Sequence, residues 1–412
     1  MATGAWTAIS LDEVCEIVRG GSPRPIMDYI TDEPNGLNWL KIGDVSETDK
    51  YFIHANEKIK PAGIPKTREV IVGDLILSNS MSFGRPFITR IAGYIHDGWL
   101  RLRCNEARLN KDFLYYFLSS NLAQEQFKSV ATGSVVNNLK TATVKGTKIY
   151  LPPLITQRRI AAVLGVLDEK IETNDRIIAN LLEQERLKFE HMLSCCSGSS
   201  RMGTIGELGT VVGGGTPPNK HQEYFTKNGI PWITPKDLSR SKAIFISRGE
   251  RDISQLGYEK SSAKRLPQGT VLFSSRAPIG YIAIASNEVT TNQGFKSIVP
   301  HAGFGTPFVF WTLKTNLDNI ESYASGSTFR EISGSVLRDV PISIPDRALL
   351  EQFNAFCEPF FSVQKNLEEQ NEVLRNLRDT LLPRLMSCEI DVSNVKLDDL
   401  VDEAAVAAAV ES

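Results

Sequence analysis

The sequence lacks the long hydrophobic runs of a membrane protein and the leader of a secreted one. No stretch of 18 apolar residues occurs among its 412 residues, and the N-terminus has neither a basic region nor an apolar stretch of signal type. We therefore expect a soluble, cytoplasmic protein with no membrane partner. The six cysteines have no CxxC spacing and the five histidines are scattered, which favours reduced structural thiols over a metal site.

The motifs of several catalytic classes are also missing. There is no Gly-x-x-x-x-Gly-Lys-Ser/Thr sequence, which excludes a P-loop motor. There is no Asn/Asp-Pro-Pro-Tyr/Phe, the tetrapeptide with which amino-methyltransferases hold their target base, and Gly213-Gly214-Gly215 lacks the spacing of a dinucleotide-binding loop. We therefore expect neither an enzyme nor a bound cofactor. An enzyme with an unrecognised site, such as a nuclease or methyltransferase, is the alternative.

What the sequence does contain is a long internal repeat. Residues 11–194 and 205–387 pass through the same landmarks in the same order, about 195 residues apart. Gly20-Gly21-Ser22-Pro23 returns as Gly214-Gly215-Thr216-Pro217, and Leu151-Pro152 returns as Ile344-Pro345. A period this long indicates duplicated domains rather than a solenoid. We expect a first module (residues 1–150), a central helix (151–200), a second module (201–344), a distal helix (345–388) and an acidic tail (389–412).

The local patterns predict that both modules are mixed α/β. Apolar runs at 70–77, 270–273 and 281–285 predict strands, and the aromatic-rich stretches at 111–127 and 306–315 predict helices. The net charge of −2 conceals an asymmetry, because residues 1–150 carry 18 Lys and Arg against 16 Asp and Glu, and residues 203–344 carry 15 against 11. Two mildly basic modules permit binding to nucleic acid without demonstrating it.

The paired glycines suggest one kind of candidate site. Such a pair lets the backbone approach a partner closely and can leave amide groups free to bind an anion such as phosphate; the alternative is a plain tight turn. Arg19, Arg24 and Lys220 lie nearby. Lys41 and Lys236 fall inside a second repeated motif, Trp-x-x-x-x-Asp, and are further cations within reach of a phosphate.

A third repeated landmark places short polar side chains next to an arginine, around Ser80 and Arg85 and around Ser275 and Arg276. Serine suits phosphate contacts, arginine reads guanine, and amides such as those of Asn292 and Gln293 read adenine. A structural turn is the alternative for Asn292-Gln293-Gly294. The candidate DNA-binding residues are Gly20, Gly21, Ser22, Arg24, Lys41, Ser80, Ser82, Arg85, Gly214, Gly215, Thr216, Lys220, Lys236, Ser275, Arg276, Asn292 and Gln293.

Each module is followed by a heptad pattern, which predicts helices that wrap around each other. The apolar seams run from Ile160 to Leu181 and from Phe353 to Leu381. Uninterrupted, a helical stretch of about 38 residues around each seam would span roughly 57 Å. Pro359 should kink or break the second helix, whose straight part would then begin near Phe360. Each seam has one polar residue near its middle, Asn174 and Gln370. We expect these two either to meet and fix the helix register or to reach solvent at the edge of the seam.

At this point the chain resembles the specificity subunit of a type I restriction–modification system, from near its N-terminus to about Cys388. The resemblance rests on the two Gly-Gly-Ser/Thr-Pro loops, on residues 230–238 (Ile-Pro-Trp-Ile-Thr-Pro-Lys-Asp-Leu) and on residues 275–280 (Ser-Arg-Ala-Pro-Ile-Gly). The proline-led openings of the two helices, residues 151–160 and 344–352, are the most specific. No single motif identifies the family by itself, but the order in which the motifs occur, repeated in both copies, is highly specific.

The resemblance implies an architecture and a role. Two target-recognition domains would lie at opposite ends of an antiparallel pair of spacer helices, with pseudo-twofold symmetry. Each domain would read one half of a bipartite site in double-stranded DNA. The helices would set the gap between the halves and dock two methyltransferase subunits, which restriction/translocase subunits join later. S-adenosylmethionine and ATP would belong to those partners. A coiled-coil scaffold that binds proteins and does not read DNA is the alternative.

Overall fold

The computed structural model describes residues 6–46, 49–80, 84–131, 138–195, 200–240, 243–326 and 330–396. The chain forms two compact units. One comprises Met1–Lys170 together with Leu374–Ser412, and the other comprises Ile171–Val373.

The first unit contains the first module, the beginning of one long helix and the end of another. Its strands are β1 (Thr7–Ser10), β2 (Cys15–Arg19), β3 (Ile30–Thr31), β4 (Leu37–Leu40), β5 (Tyr51–Phe52), β6 (Glu57–Ile59), β7 (Arg68–Val70), β8 (Leu75–Ser78), β9 (Pro86–Thr89), β10 (Gly93–Ile95), β11 (Trp99–Cys104) and β12 (Lys148–Leu151). Its helices are α1 (Lys111–Ser119), α2 (Asn121–Ala131), α3 (Thr141–Gly146) and the first part of the first long helix, α4 (Leu154–Cys195).

The core of the first module lies on both faces of a five-stranded sheet of order β2-β11-β8-β9-β5. Successive strand residues point to opposite faces. Leu75 and Leu77 of β8 therefore pack against the helices, while Ile76 packs against the second sheet, of order β3-β6-β4-β10-β7. Because both faces are covered, β8 is apolar at each of these positions instead of alternating.

The second unit repeats this arrangement. Its strands are β13 (Arg201–Thr204), β14 (Gly209–Gly213), β15 (Phe225–Thr226), β16 (Ile230–Ile233), β17 (Phe245–Ile246), β18 (Arg251–Ile253), β19 (Val271–Ser275), β20 (Ile279–Ala285), β21 (Thr290–Thr291), β22 (Lys296–Pro300) and β23 (Pro341–Ile344). Its helices are α5 (Ile205–Leu208), α6 (Pro235–Arg240), α7 (Gln255–Glu259), α8 (Thr306–Thr315), α9 (Leu317–Ser322), α10 (Gly334–Asp339), the rest of α4 and most of the second long helix, α11 (Arg347–Met386).

Equivalent strands occupy equivalent places in the two modules. A sheet of order β14-β22-β19-β20-β17 matches the five-stranded sheet of the first module. Leu272 of β19 faces a second sheet of four strands, of order β15-β18-β16-β21, whereas Val271 and Phe273 face the helices. The two-stranded pairs also correspond, since β1 is antiparallel to β12 and β13 is antiparallel to β23. The predicted mixed α/β fold, with a duplicated module and two long helices, is confirmed.

The predicted elements need two adjustments. The apolar run at 70–77 is two strands, β7 and β8, because Gly73 turns the chain with a φ of +88° between them. The stretch at 111–127 is two helices, since α1 ends at Ser119 and α2 begins at Asn121. The strand predicted at 270–273 overlaps β19, which begins one residue later, and the strand predicted at 281–285 lies in β20. The helix at 306–315 has the predicted bounds.

The long helices run antiparallel within each unit. In the first unit, Asp168 of α4 binds Arg378 of α11 through atoms 2.9 Å apart, and Leu164, earlier in α4, shares a core with Leu385, later in α11. In the second unit, the ring centroids of Phe189 and Phe353 lie 5.4 Å apart. Asn174, earlier in α4 than Phe189, contacts Asn371, which is later in α11 than Phe353. The predicted antiparallel pairing is therefore confirmed within each unit.

The predicted register contact is wrong by one residue. Asn174 is buried and its Nδ2 donates to Oδ1 of Asn371 at 2.9 Å, whereas Gln370 is exposed. Val363 and Leu377, which also belong to the seam predicted from Phe353 to Leu381, are 44% and 45% exposed. The expected break at Pro359 is wrong as well, because α11 continues from Arg347 to Met386. The buried residues Cys357 and Phe361 lie on either side of Pro359, and their packing holds the helix through it.

Removing one member of the asparagine pair should lower the stability of the second unit. Asn371→Leu leaves the buried Nδ2 of Asn174 without its acceptor, so we expect the free energy of unfolding to fall by about 1 to 3 kcal/mol. The Asn174→Leu/Asn371→Leu double variant should recover most of this loss, because both polar groups are then removed. Gln370→Leu is the matched control and should change stability little. Chemical denaturation measures all three, and equal stability of Asn371→Leu and Gln370→Leu would contradict the pairing.

The start of the acidic tail belongs to the first unit. Val392 is buried in the core of this unit with Leu385 and Met386, and Ile390 and Val395 pack against it. The first part of the tail therefore packs on the core of the first unit, whereas residues 397–412 lie outside the described residues.

Candidate nucleic-acid interface

Loops that follow strands β2, β4 and β10 meet in the first module around an open cleft of about 680 Å³. Three predicted site residues, Ser22, Arg24 and Lys41, are brought together in its lining. The complete lining is Ser22, Pro23, Arg24, Pro25, Ile26, Trp39, Lys41 and His96. A cleft with two cationic side chains and an aromatic wall is suited to binding an anionic, partly apolar ligand.

Asp97, which was not among the predicted residues, organises the polar side of this cleft. Ser22 Oγ donates to Asp97 Oδ1 at 2.7 Å, and Arg24 Nη2 lies 3.6 Å from Oδ2. Arg19 Nε donates to the backbone oxygen of Asp97 at 2.9 Å. Burial alone would raise the pKa of Asp97, but the bond from Ser22 and the charge of Arg19 help to hold this pKa below its usual range. Asp97 is therefore ionised at neutral pH.

His96 supports the turn rather than supplying charge. Its Nδ1 accepts from the Gly98 amide at 2.8 Å, and its Nε2 lies 3.2 Å from the Ile42 amide. A protonated ring has no acceptor nitrogen and a neutral ring has one, so the neutral form can accept from one of these two amides and the protonated form from neither. Burial lowers the pKa of His96, although the carboxylate of Asp97 opposes this effect. The ring is therefore neutral and contributes shape to the cleft.

The Trp-x-x-x-x-Asp motif builds a turn in each module. Asp44 accepts from the Lys41 amide at 2.9 Å, and Asp237 accepts from the Thr234 amide at 2.8 Å. Both predicted lysines are paired with a glutamate: Lys41 with Glu57, and Lys236 with Glu250 at 3.2 Å. Both pairs are exposed or half-buried, so the lysines can exchange a glutamate for a phosphate at little cost.

The second module has an equivalent loop cluster. Thr216 Oγ1 lies 3.5 Å from the amide of Gln293, and Asn292 Oδ1 accepts from the Gly294 amide at 2.9 Å. The predicted residues Thr216, Asn292 and Gln293 are thus brought together. Gln293 is exposed, as is the predicted Lys220.

The paired glycines are required by the protein's own backbone. A Cβ on Gly20 would lie 2.1 Å from the backbone oxygen of His96, and one on Gly214 would lie 2.0 Å from that of Asn292. Similar collisions, at 2.4 and 2.3 Å, would occur at Gly21 and Gly215. Paired glycines thus allow two loops to cross in contact, where no side chain fits.

The hypothesis that these glycines have amides free to bind an anion is wrong. Each amide donates to a backbone oxygen of the crossing strand or turn. The bonds are Gly20 to Trp99 at 2.9 Å, Gly21 to Ile95 at 3.2 Å, Gly214 to Phe295 at 3.4 Å and Gly215 to Thr291 at 2.8 Å. The four glycines therefore position the site and do not donate to a ligand.

Adding one methyl group should separate this role from ordinary glycine flexibility. Gly214→Ala places Cβ against the Asn292 oxygen, so we expect a loss of about 1 to 3 kcal/mol in the free energy of unfolding as the loops move apart. The adjacent Gly213→Ala is the matched control, since its nearest neighbour would be Lys296 Cδ at 4.0 Å. Thermal unfolding of both variants tests this; a Gly214→Ala protein as stable as Gly213→Ala would show that the loops do not cross so closely.

Both duplicated modules match the same known protein family. Residues 4–183 and 200–370 each match the family described as the type I restriction modification DNA specificity domain. The chain belongs to this family.

Relatives of the specificity-domain family resemble parts or all of the chain. The MjaIX specificity subunit of Methanocaldococcus jannaschii is 41% identical over 175 residues, which cover 42% of this chain and 40% of that protein. The HindI specificity subunit of Haemophilus influenzae is 26% identical over 192 residues, 46% of this chain and 41% of that protein. The chain thus matches less than half the length of these two. The putative MjaX specificity subunit of M. jannaschii is 24% identical over 416 residues, with 92% of each chain covered.

A solved structure supports the fold of these specificity domains. The S subunit of a type I restriction–modification system from M. genitalium superposes with a TM-score of 0.53 and 16% identity, over 93% of this chain and 97% of that one.

The remaining predicted residues of the two specificity domains have different environments. Ser275 is buried, and both its amide and its hydroxyl donate to the backbone oxygen of Gly294, so its predicted contact with DNA is wrong. Arg276 is half-buried, with Nη1 3.7 Å from Glu331, another residue that the sequence did not indicate. Ser80 and Arg85 are half-buried, and Ser82 lies outside the described residues.

In the part of the chain that the structure describes, no group of three or more His, Cys, Asp and Glu residues could hold a metal ion. The described cysteines are free thiols, namely Cys15, Cys104, Cys195, Cys357 and Cys388. Among the same residues, no helix is both long and apolar enough to cross a bilayer.

Proposed function

We propose that this chain is the non-catalytic DNA-specificity subunit of a type I restriction–modification complex and acts in the cytoplasm. Each module would bind one half of a bipartite site in double-stranded DNA. The observation that carries this proposal is the pair of specificity domains, which display different side chains from equivalent loops. Because Asp97 occupies one loop cluster and Gln293 the other, the two half-sites should differ and the target should be asymmetric.

The long helices would set the gap between the half-sites and dock two methyltransferase subunits, with restriction/translocase subunits joining later. Five apolar side chains on these helices support docking, because each is at least 44% exposed: Ile155, Leu187, Val363, Val373 and Leu377. Exposed apolar side chains on a helix suit a protein partner. S-adenosylmethionine and ATP would bind to the partner subunits and not to this chain.

Mapping methylated adenines across a genome tests the proposal. The chain is co-expressed with its cognate methyltransferase subunit, and the expected result is one bipartite motif with two different halves at a fixed spacing. The chain alone, incubated with DNA and S-adenosylmethionine, should methylate nothing, and methylation there would identify an enzyme instead. A palindromic motif would contradict the asymmetric target.

Salt dependence separates this function from that of a protein-binding scaffold. Because each phosphate contact releases counterions, the affinity of the methyltransferase complex for duplex DNA should fall steeply between 50 and 200 mM salt, by roughly tenfold or more. The measurement is a titration of labelled duplex by fluorescence anisotropy. Binding that is absent, or that does not change with salt, would favour the scaffold.

A further inference from the structure

The turns at residues 96–98 and 292–294 occupy the same place in the two modules. Each is fixed from one side by the hydroxyl of the Gly-Gly-Ser/Thr-Pro loop. Ser22 Oγ lies 3.4 Å from the amide of Asp97, and Thr216 Oγ1 lies 3.5 Å from the amide of Gln293. These two contacts put residues 97 and 293 at equivalent positions.

The end of each turn is fixed in the same way. The Asn79 amide donates to the oxygen of Gly98, and the Ser275 amide donates to the oxygen of Gly294, both at 2.8 Å. The glycine loops also cross the start of both turns equally closely, because a Cβ on Gly20 would lie 2.1 Å from the His96 oxygen and one on Gly214 would lie 2.0 Å from the Asn292 oxygen. The backbone frame of the two turns is therefore common to both modules.

The first side chain of each turn is also used in the same way. His96 Nδ1 accepts from the amide two residues later at 2.8 Å, and Asn292 Oδ1 does so at 2.9 Å. Histidine and asparagine thus stabilise the two turns with the same side-chain-to-backbone hydrogen bond. This leaves the middle residue, Asp97 or Gln293, as the side chain that the shared frame presents differently in each module.

The two middle side chains have different hydrogen-bonding chemistry. Asp97 is 40% exposed at its side chain and, being ionised, can only accept. Arg19 and Arg24 beside it offset the repulsion that its charge would meet from DNA phosphates. Gln293 is exposed, and its amide can both donate and accept. In a major groove, a carboxylate accepts from the cytosine amino group, whereas glutamine pairs with adenine through two bonds.

We propose that Asp97 and Gln293 are matched specificity-determining residues. Asp97 accepts from the amino group of a cytosine in one half-site, and Gln293 binds an adenine at the corresponding place in the other. This proposal rests on the proposed function, because it requires that the modules read DNA.

Exchanging the two residues tests the assignment. Asp97→Gln and Gln293→Asp are prepared separately in the complete complex with the cognate methyltransferase subunit. Each complex selects its substrates from a library of duplexes randomised in both half-sites. Asp97→Gln should shift one base pair of one half-site from cytosine to adenine by about tenfold or more. Gln293→Asp should make the reverse change in the other half-site only.

Two further variants control for charge and for folding. Glu106→Gln removes an exposed carboxylate beyond the opposite end of β11, and its selected sequence should be that of the wild type. Asp97→Asn retains an oxygen for the bond from Ser22 but adds a donor, so it should relax the same base pair even if Asp97→Gln folds poorly.

The possible outcomes separate the two proposals. If the wild type selects a bipartite site and the exchanges leave every base preference unchanged, the assignment of Asp97 and Gln293 is overturned and the proposed function stands. Changes from both exchanges in the same half-site would overturn the assignment as well. If the wild-type complex selects no sequence at all, both proposals are overturned.

Discussion

Replacing Asp168 by asparagine should lower the free energy of unfolding of the first unit by about 3 kcal/mol. Asp168 is buried in α4, and both its carboxylate oxygens are bound. Lys50 Nζ lies 2.9 Å from Oδ2, Arg378 Nη1 lies 2.9 Å from Oδ1, and the hydroxyl of Tyr116 donates to Oδ2. The amide would leave Lys50 without a counter-charge and Arg378 with only that of the exposed Asp379, 2.9 Å away, so the loss should be large. Because the two cations keep some solvent access, we expect the lower end of the usual range.

The exposed neighbour Glu169 provides the control, since Glu169→Gln removes a charge from the same helix without a buried partner. Hydrogen exchange read by mass spectrometry assigns the effect to the first unit, and peptides from β8 and α1 should exchange faster only in Asp168→Asn. If both variants leave exchange unchanged, the network does not hold this unit together.

The same carboxylate makes the first unit sensitive to acid. Burial would raise the pKa of Asp168, but Lys50, Tyr116 and Arg378 outweigh it and hold this pKa below the ordinary value. The folded pKa is therefore lower than the unfolded one, so the stabilisation is complete above the unfolded pKa and is lost as pH falls through the folded pKa. In Asp168→Asn that part of the acid denaturation should be missing.

Replacing Glu185 by glutamine should have the opposite effect, stabilising the second unit by about 2 to 3 kcal/mol at pH 8.5. Glu185 is fully buried, and its Oε2 accepts from Trp311 Nε1 at 3.0 Å. Burial raises the pKa of Glu185 to about 7, although Trp311, Gln364 and Lys314 lower it in part. Glutamine keeps an oxygen for Trp311 and carries no charge to bury.

The pH profile distinguishes this mechanism from better packing. The folded pKa is above the unfolded one, so the favourable contribution is present below the unfolded pKa and is lost as pH rises through 7. Denaturation at pH 4.5 should therefore show similar stabilities for the wild type and Glu185→Gln, and the difference should grow towards pH 8.5. Glu190→Gln, which breaks only an exposed pair with Arg186, should show no such trend. A constant gain at every pH would contradict an ionisation effect.

The sequence predicted the fold well because its signals were local and repeated. Apolar runs such as 270–273 and the two heptad seams depend on which residues are buried, and burial follows from periodicity. Register does not. Gln370 and Asn371 are adjacent polar residues on one helix, and only the position of the partner helix decides that Asn371 faces Asn174. The prediction of a break at Pro359 failed for a related reason. The free-energy cost of a proline inside a helix is local, and the packing of buried side chains on both sides of it outweighs this cost.

The candidate site was predicted less well. A glycine pair in a sequence says that something approaches closely but not what, and here it is the chain's own backbone. Asp97 was missed because aspartate between histidine and glycine resembles an ordinary turn. A signal was nevertheless present: His96-Asp97-Gly98 and Asn292-Gln293-Gly294 occupy equivalent places in the repeat, so aligning the copies would have identified Asp97 as the counterpart of Gln293.

The first unit is made from both ends of the chain, and this fixes an order of events during translation. The second unit is continuous, from Ile171 to Val373, and has all its residues once that stretch has left the ribosome. The first unit emerges earlier but must wait for Leu385, Met386 and Val392, which complete its core. Until then Ile160 and Leu164 lack part of their apolar cover. The half of the protein that is synthesised first is therefore the half whose core is completed last, and a truncation before Leu385 should destabilise the N-terminal module.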